Sequence, residues 1–136
     1  MKVLRSALTA FAILLIATAA HAQQKKVSST IPFNFVVGDR AYTAGSYHFT
    51  QDGVLLQVSD ADQTPVATVI SQACAELMPA PKTKLVFRRM GDYYFLEQVW
   101  VAGSQYGRSL PKSRMETQLA QNHPEEELVI VAANLF

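Results

Sequence analysis

Three cations lie close together just before a predicted helix. Arg108, Lys112 and Arg114 fall in the segment 107–114, GRSLPKSR. A helix N-terminus offers unpaired backbone N–H groups and partial positive charge, so this arrangement could bind an anion. A solvated loop with a helix N-cap explains the same residues. It is the preferred interpretation, because surface loops commonly carry charge.

The helix itself is predicted from its start signal. Ser113 and Glu116 have the spacing of a capping box, in which the Ser hydroxyl accepts a hydrogen bond from the third helical N–H and the Glu reaches back. The sequence therefore predicts one short helix over 114–121, with Met115 and Leu119 on one face.

The segment 84–101, KLVFRRMGDYYFLEQVWV, predicts a β-hairpin with Gly91 and Asp92 as its two-residue loop. Glycine at the first loop position suits a type II′ turn, because that position needs a positive φ. In this register Phe87 faces Leu96 and Leu85 faces Gln98. The predicted core face carries Leu85, Phe87, Tyr94, Leu96 and Trp100.

The other face of the hairpin mixes apolar and charged side chains. Arg88 lies diagonally across from Glu97, within reach of a cross-strand ion pair. The aromatic residues of the hairpin, among them Tyr93 and Trp100, could line a ligand groove, although hairpin aromatics more often belong to a core. Tyr93, Trp100 and the three cations at 108, 112 and 114 are the candidate ligand-binding residues.

Few other residues could support catalysis. His48 alternates with Tyr47 and Phe49 in a predicted strand, and His123 precedes a proline where capping of the helix dipole explains it. Cys74 is the one cysteine, and we interpret it as a small buried hydrophobe rather than a reactive thiol or the site of an intermolecular disulfide. No nucleophile, metal-ligand or nucleotide motif is present. The sequence therefore predicts no enzymatic activity, no catalytic residues, no metal and no cofactor.

The first 22 residues have the pattern of a secretory signal peptide. Lys2 and Arg5 precede an apolar block over 7–20, and Ala20-His21-Ala22 is a small-x-small cleavage site. Cleavage leaves 23–136 as a single domain with no predicted transmembrane segment, in the periplasm or outside the cell. It also reduces the 12 basic residues to 10, against 11 acidic ones, which gives no electrostatic case for nucleic acid.

Strands are predicted over 27–37, 46–50, 54–58, 66–73 and 128–133, in addition to the two hairpin strands, and 103–108 is predicted as a loop. Short strands separated by Gly and Pro turns are typical of an all-β fold. We expect an antiparallel β-sandwich or a small β-barrel of about seven strands, with the one short helix.

Four blocks together resemble a family of small secreted bacterial β-rich proteins of unknown function. The blocks are IPFNFVVGD (31–39), AGSY (44–47), the hairpin, and GRSLPKSRMET (107–117), and they match the family's PFxFxVG, AGxY, GDxYFL and LPxSR segments. Thr43 departs from the expected Pro, and the tail after 124 is unusually long. The resemblance implies one exported β-rich domain and brings no activity or cofactor.

Export, the β-rich pattern and the lack of catalytic motifs favour a non-catalytic binding or structural module of the cell envelope or exterior. It would act through an aromatic hairpin face or an exposed strand edge. The partner would be another envelope protein, a glycan or an apolar small molecule. The alternative is a small barrel that encloses an apolar ligand. A membrane barrel is disfavoured, because the strands are too short and too few, and an enzyme would need a site assembled from residues distant in sequence.

Overall fold

The computed structural model describes residues 24–122 and 125–136 of the chain. The predicted leader and His123 lie outside these residues. The described part is a sandwich of two β-sheets with one helix, which confirms the predicted all-β class. Within it both sheets have open edges, so the sandwich form applies and the barrel form does not.

Sheet A is the five-stranded layer, in the spatial order β12-β1-β4-β5-β6. Its strands are antiparallel to one another. Their bounds are β1 Lys25–Ile31, β4 Gly45–Asp52, β5 Leu55–Ser59, β6 Pro65–Ile70 and β12 Asn134–Leu135.

Sheet B has the order β11-β8-β9-β10-β7, and the short pair β2 and β3 joins it where β2 runs parallel to β9. The helix, α1, spans Arg114–Asn122, which confirms the prediction for 114–121. The strands of sheet B are β2 Phe35–Val37, β3 Arg40–Tyr42, β7 Gln72–Ala75, β8 Lys84–Met90, β9 Tyr93–Trp100, β10 Tyr106–Ser109 and β11 Glu127–Ala132.

The described residues form twelve strands where the sequence predicts about seven. The predicted strand 27–37 is divided at Pro32, which lacks the N–H that a ladder needs, and 66–73 is divided at Ser71. At both points the chain leaves sheet A and enters sheet B. The remaining three are the short strands β3, β10 and β12, and β10 lies in the segment that was predicted as a loop.

Hydrogen bonds fix the segments where the chain crosses between the sheets. Asn34 Oδ1 accepts a bond from Ala44 N (2.9 Å), which joins two of these crossings. Ser71, which is 1% exposed, donates from its backbone N to Val54 O (2.7 Å). The last crossing is at Ala133, whose N donates to Thr83 O (3.1 Å). Because buried backbone polar groups must be paired, the bonds at Ser71 and Ala133 allow these two crossings to be buried.

The main core lies between the sheets and takes apolar side chains from both. Phe87 is at its centre and makes edge-to-face contacts with Phe33 (5.0 Å between ring centroids) and Phe35 (5.7 Å). The cavity between the sheets beside Val27 and Phe49 measures about 10 Å³, no more than one water occupies. It is far too small for an apolar ligand, so it gives no support to the alternative of a small barrel that encloses one.

The hairpin β8–β9 forms with Gly91 at φ 60°, and Phe87 pairs with Leu96 as predicted. The predicted pairing of Leu85 with Gln98 is wrong by one residue. A β-bulge in β9 leaves Glu97 without a partner in β8, so Gln98 pairs with Val86 and Val99 with Leu85. An extra residue in one strand reverses which face each later residue occupies.

Because of the bulge, the predicted core face is wrong at Trp100. Val99 joins Leu85 and Phe87 in the main core, whereas Trp100 moves to the opposite face of sheet B, where it packs with Val86 and Ala80. Farther along the same face, Met115, Leu119 and Ala120 of α1 cover Val36, Met90 and Phe95. The hairpin is thus buried on both faces.

Trp100 packs against a strand position that has no side chain. Gly107 pairs with Trp100 across β9 and β10, and a Cβ built on Gly107 would lie 2.8 Å from two carbon atoms of the indole. Contacts this short require the ring or the strand to move, and Trp100 is only 2% exposed.

We expect Gly107→Ala to lower the free energy of unfolding by about 1–3 kcal/mol, as overpacking of a core does. Urea denaturation would measure the loss. The control is the same substitution in a Trp100→Leu background, where the cost should be smaller because the ring is absent. Equal costs in the two backgrounds would contradict the steric explanation.

Candidate functional site

The five candidate ligand-binding residues do not form one site. Tyr93 begins β9 next to the hairpin loop, whereas Trp100 ends the same strand, seven residues and roughly 23 Å away. Trp100 is buried and donates from Nε1 to Gln98 Oε1 (2.8 Å). Lys112 and Arg114 are exposed at the start of α1, and Arg108 lies within β10. The predicted cation cluster is therefore divided between two elements.

Arg108 stabilises a crossing between the sheets. Its Nη2 donates to the carbonyl of Ser71 (2.6 Å), and its Nε donates to Ser71 Oγ (2.9 Å). Ser71 joins β6 of sheet A to β7 of sheet B. The guanidinium thus bonds to a buried backbone group at the point where a predicted single strand is divided.

Arg88 lies at the centre of the densest group of charges in the described residues. Glu97 accepts from Nη2 (2.5 Å), which confirms the predicted cross-strand pair, and Glu116 of α1 accepts from Nη1 (3.4 Å). Glu126 approaches Nε at 3.5 Å. This network joins the hairpin, α1 and the segment before β11, and its partly buried ion pairs resist screening by salt.

Glu116 forms one of the two hydrogen bonds of the predicted capping box. Its backbone N donates to Ser113 Oγ (3.1 Å), as predicted, but its carboxylate turns to Arg88 instead of the N-cap backbone. Burial raises the pKa of the Glu116 carboxyl above its ordinary value of 4.5, although Arg88 acts in the opposite direction. The cost of desolvation therefore exceeds the gain from the ion pair.

Cys74 is half-buried in the edge strand β7 and packs against the cluster around Trp100. Burial raises the pKa of its thiol, although the backbone at Gly107 and the charge of Arg108 act in the opposite direction. A raised pKa lowers the thiolate fraction at neutral pH, and the thiolate is the reactive form.

The outer face of sheet A carries an open depression of about 420 Å³, which we call the outer groove. Two rows of neighbouring strand residues form its floor. One row runs across four strands, through Lys26, Thr50, Gln57 and Thr68. The next runs through His48, Ser59 and Pro65.

The side wall of the outer groove includes Phe136, which follows β12. Its ring centroid lies 4.6 Å from that of His48, and its backbone N donates to Lys26 O (3.2 Å). Nδ1 of His48 is buried and has no hydrogen-bond partner among the described residues. The groove thus combines hydroxyl and amide groups, an imidazole and an exposed phenyl ring.

A second depression of about 200 Å³ adjoins the outer groove, and His48 lines both. Hydroxyl groups dominate it, from Ser28, Thr30 and Ser46, with the amide of Asn134 at its side. Thr30 Oγ1 and Ser46 Oγ lie 3.1 Å apart. The two depressions together form an elongated polar surface along sheet A.

Sequence reasoning missed this surface. The signal was the set of polar residues that alternate with apolar ones along each strand. In the predicted strand 46–50, the alternation places Tyr47 and Phe49 on one face, which leaves Ser46, His48 and Thr50 on the other. The order β1-β4-β5-β6 brings four such sets side by side. The strands β4, β5 and β6 follow one another along the chain, but β1 pairs with β4 across the intervening β2 and β3. The periodicity of a single strand does not reveal that pairing.

Within 24–122 and 125–136, no three His, Cys, Asp or Glu side chains are arranged to hold a metal ion. No helix in the same residues is long and apolar enough to cross a bilayer. No protein-family model matches the chain, and neither a curated protein nor a solved structure was found to be similar to it. The resemblance to a secreted family stays a prediction.

We expect Arg108→Ala to lower the free energy of unfolding by about 1.5–3 kcal/mol, because it removes two charge-assisted bonds to buried Ser71. Chemical denaturation would measure the change. Arg114→Ala is the matched control, and it should change stability by less than about 0.5 kcal/mol because Arg114 is exposed. Similar small effects from both variants would show that Arg108 does not hold the crossing.

We expect the free energy of unfolding of Glu116→Gln, compared with that of the natural chain, to increase as the pH rises from about 4 to 7. A carboxyl with a raised pKa binds its proton more tightly in the folded state, so its contribution to stability falls as the pH rises above 4.5. Glutamine removes this loss. Denaturation at several pH values would measure the difference between the two proteins.

The control for this experiment is Gln118→Ala, on an exposed position of the same helix. Its pH profile should run parallel to that of the natural chain, because no titrating group changes. If the free energy of unfolding of Glu116→Gln, minus that of the natural chain, is constant with pH or falls as the pH rises, the raised pKa is contradicted.

Proposed function

We propose that residues 23–136 form an exported, non-catalytic binding module of the cell envelope or exterior, and that the outer groove is its binding surface. The observation that supports this is the contrast between the two sheets. The outer face of sheet B is covered by α1 and by the cluster around Trp100, whereas the outer face of sheet A presents a polar depression of about 420 Å³.

The proposed binding surface is the outer groove and not the aromatic face of the hairpin. Trp100 and Phe95 are buried, and Tyr94 stacks on Phe33 with ring centroids 3.9 Å apart. These rings hold the fold together and leave little for a ligand. The outer groove, by contrast, offers several polar side chains on rigid strands, which is the arrangement that fixes a ligand's orientation.

Titration calorimetry against three probes tests the function: neutral oligosaccharides, phosphatidylglycerol vesicles and an unstructured polar peptide. We expect one class to bind, and Gln57→Ala to weaken that binding about fivefold, the effect of one lost hydrogen bond. Gln57 belongs to the groove floor, so its amide can reach a bound ligand.

Gln118→Ala makes the same chemical change on the exposed surface of α1 and should leave the affinity unchanged. Equal weakening by the two variants, or no binding of any probe, would overturn the proposal.

A further inference from the structure

We infer that the outer groove binds a neutral oligosaccharide, with its hydroxyl and amide groups on the sugar hydroxyls and Phe136 against a sugar ring. This inference rests on the proposed function and adds the class of ligand. It follows from three properties of the surface: its neutral hydrogen-bonding groups, its elongated shape and its single exposed aromatic ring.

The first property is the chemistry of the floor. Thr50 and Thr68 each present a hydroxyl that both donates and accepts, and Gln57 presents an amide that does the same. A sugar hydroxyl also donates and accepts, so each group on the floor can pair with it in either direction. A ligand with only acceptors, such as a phosphate, would use the donors of these groups and leave their acceptors unpaired.

The second property is the balance of charge. Among side chains, the groove contains one cation, Lys26, and one carboxylate, Asp52, in addition to His48. A site for nucleic acid or another polyanion needs a cluster of cations to release counterions, and a site for an acyl chain needs an apolar floor. The outer groove has neither, which favours an uncharged polar ligand.

The third property is shape. The groove continues past His48 into the depression of about 200 Å³ lined by Ser28 and Ser46. Neighbouring strands lie about 4.8 Å apart, so the polar side chains of Thr50, Gln57 and Thr68 recur at short, regular distances across the sheet. A repeating chain of hydroxyl-bearing units matches this surface better than a single small molecule, which points to an oligosaccharide.

Phe136 supplies the apolar contact that a sugar ring needs. Its side chain is 55% exposed, so one face of the ring is free beside the polar floor. The negative face of an aromatic ring attracts the partially positive C–H groups of a pyranose. The imidazole of His48 lies beside this ring, with ring centroids 4.6 Å apart, and its Nδ1 has no hydrogen-bond partner in the described residues.

The test is an amide-shift titration by NMR, in which 15N-labelled protein of residues 23–136 is mixed with chito-, cello-, malto- and xylo-hexaose. We expect at least one neutral hexasaccharide to produce saturable shifts at Thr50, Gln57 and Thr68. Phe136→Ala should weaken this binding roughly threefold to tenfold, the range for a lost aromatic contact, whereas Phe136→Tyr should retain it.

Unchanged core resonances in Phe136→Ala would establish that the variant is folded. If it is not folded, the comparison of Thr68→Ala with Thr117→Ala replaces it, since Thr117 lies on α1 away from the groove and only the first variant should weaken binding.

Two further probes separate the class of ligand from the function. If oligogalacturonate or a polar peptide shifts the groove residues and no neutral hexasaccharide does so, the inference is overturned and the proposed function survives. If a hexasaccharide binds but shifts residues of α1 or sheet B instead, both are overturned. Absence of any groove shift with all four neutral hexasaccharides at millimolar concentration also overturns the inference.

Discussion

The rest of the structure depends on the β8–β9 hairpin being buried on both of its faces. One face contributes Leu85, Phe87 and Leu96 to the core between the sheets, and the other contributes Met90, Phe95 and Trp100 to contacts with α1 and the cluster around Ala80. A regular hairpin would place Trp100 on the same face as Leu85. The bulge at Glu97 reverses this, because both Glu97 and Gln98 then point away from the main core. Because a single cysteine allows no intrachain disulfide, this burial is the main source of stability.

Because α1 and the cluster around Trp100 cover the outer face of sheet B, the outer face of sheet A is the one that remains open for binding. The chain crosses between the sheets near Pro32, Ala44, Ser71 and Ala133, so strands distant in sequence become neighbours in sheet A. Their inward side chains fill the core and their outward side chains form the polar floor of the outer groove. Ladder hydrogen bonds hold that floor rigid, and a rigid polar surface loses little conformational entropy when it binds a ligand.

Local signals predicted the local structure. The Gly91-Asp92 loop, the pairing of Phe87 with Leu96, the Arg88–Glu97 pair and the helix after Ser113 all follow from residues fewer than ten positions apart, and the structure confirms each of them. The bulge was not predictable in this way, because its advantage comes from Val99 and Trp100 meeting different distant partners. The division of 66–73 at Ser71 likewise depends on Arg108, which is 37 positions away. The outer groove requires the strand order of sheet A, which no segment specifies alone.

The contacts of Trp100, the chain's one tryptophan, distinguish the bulged hairpin from a regular one. In a NOESY spectrum of the folded protein, we expect cross-peaks from the indole protons to the methyl groups of Val86 and Ala80, together with cross-peaks between the methyl groups of Leu85 and Val99. Cross-peaks from the indole to Leu85 and Phe87 instead would show a hairpin without the bulge, and would contradict the burial of Trp100 on the face opposite to Leu85.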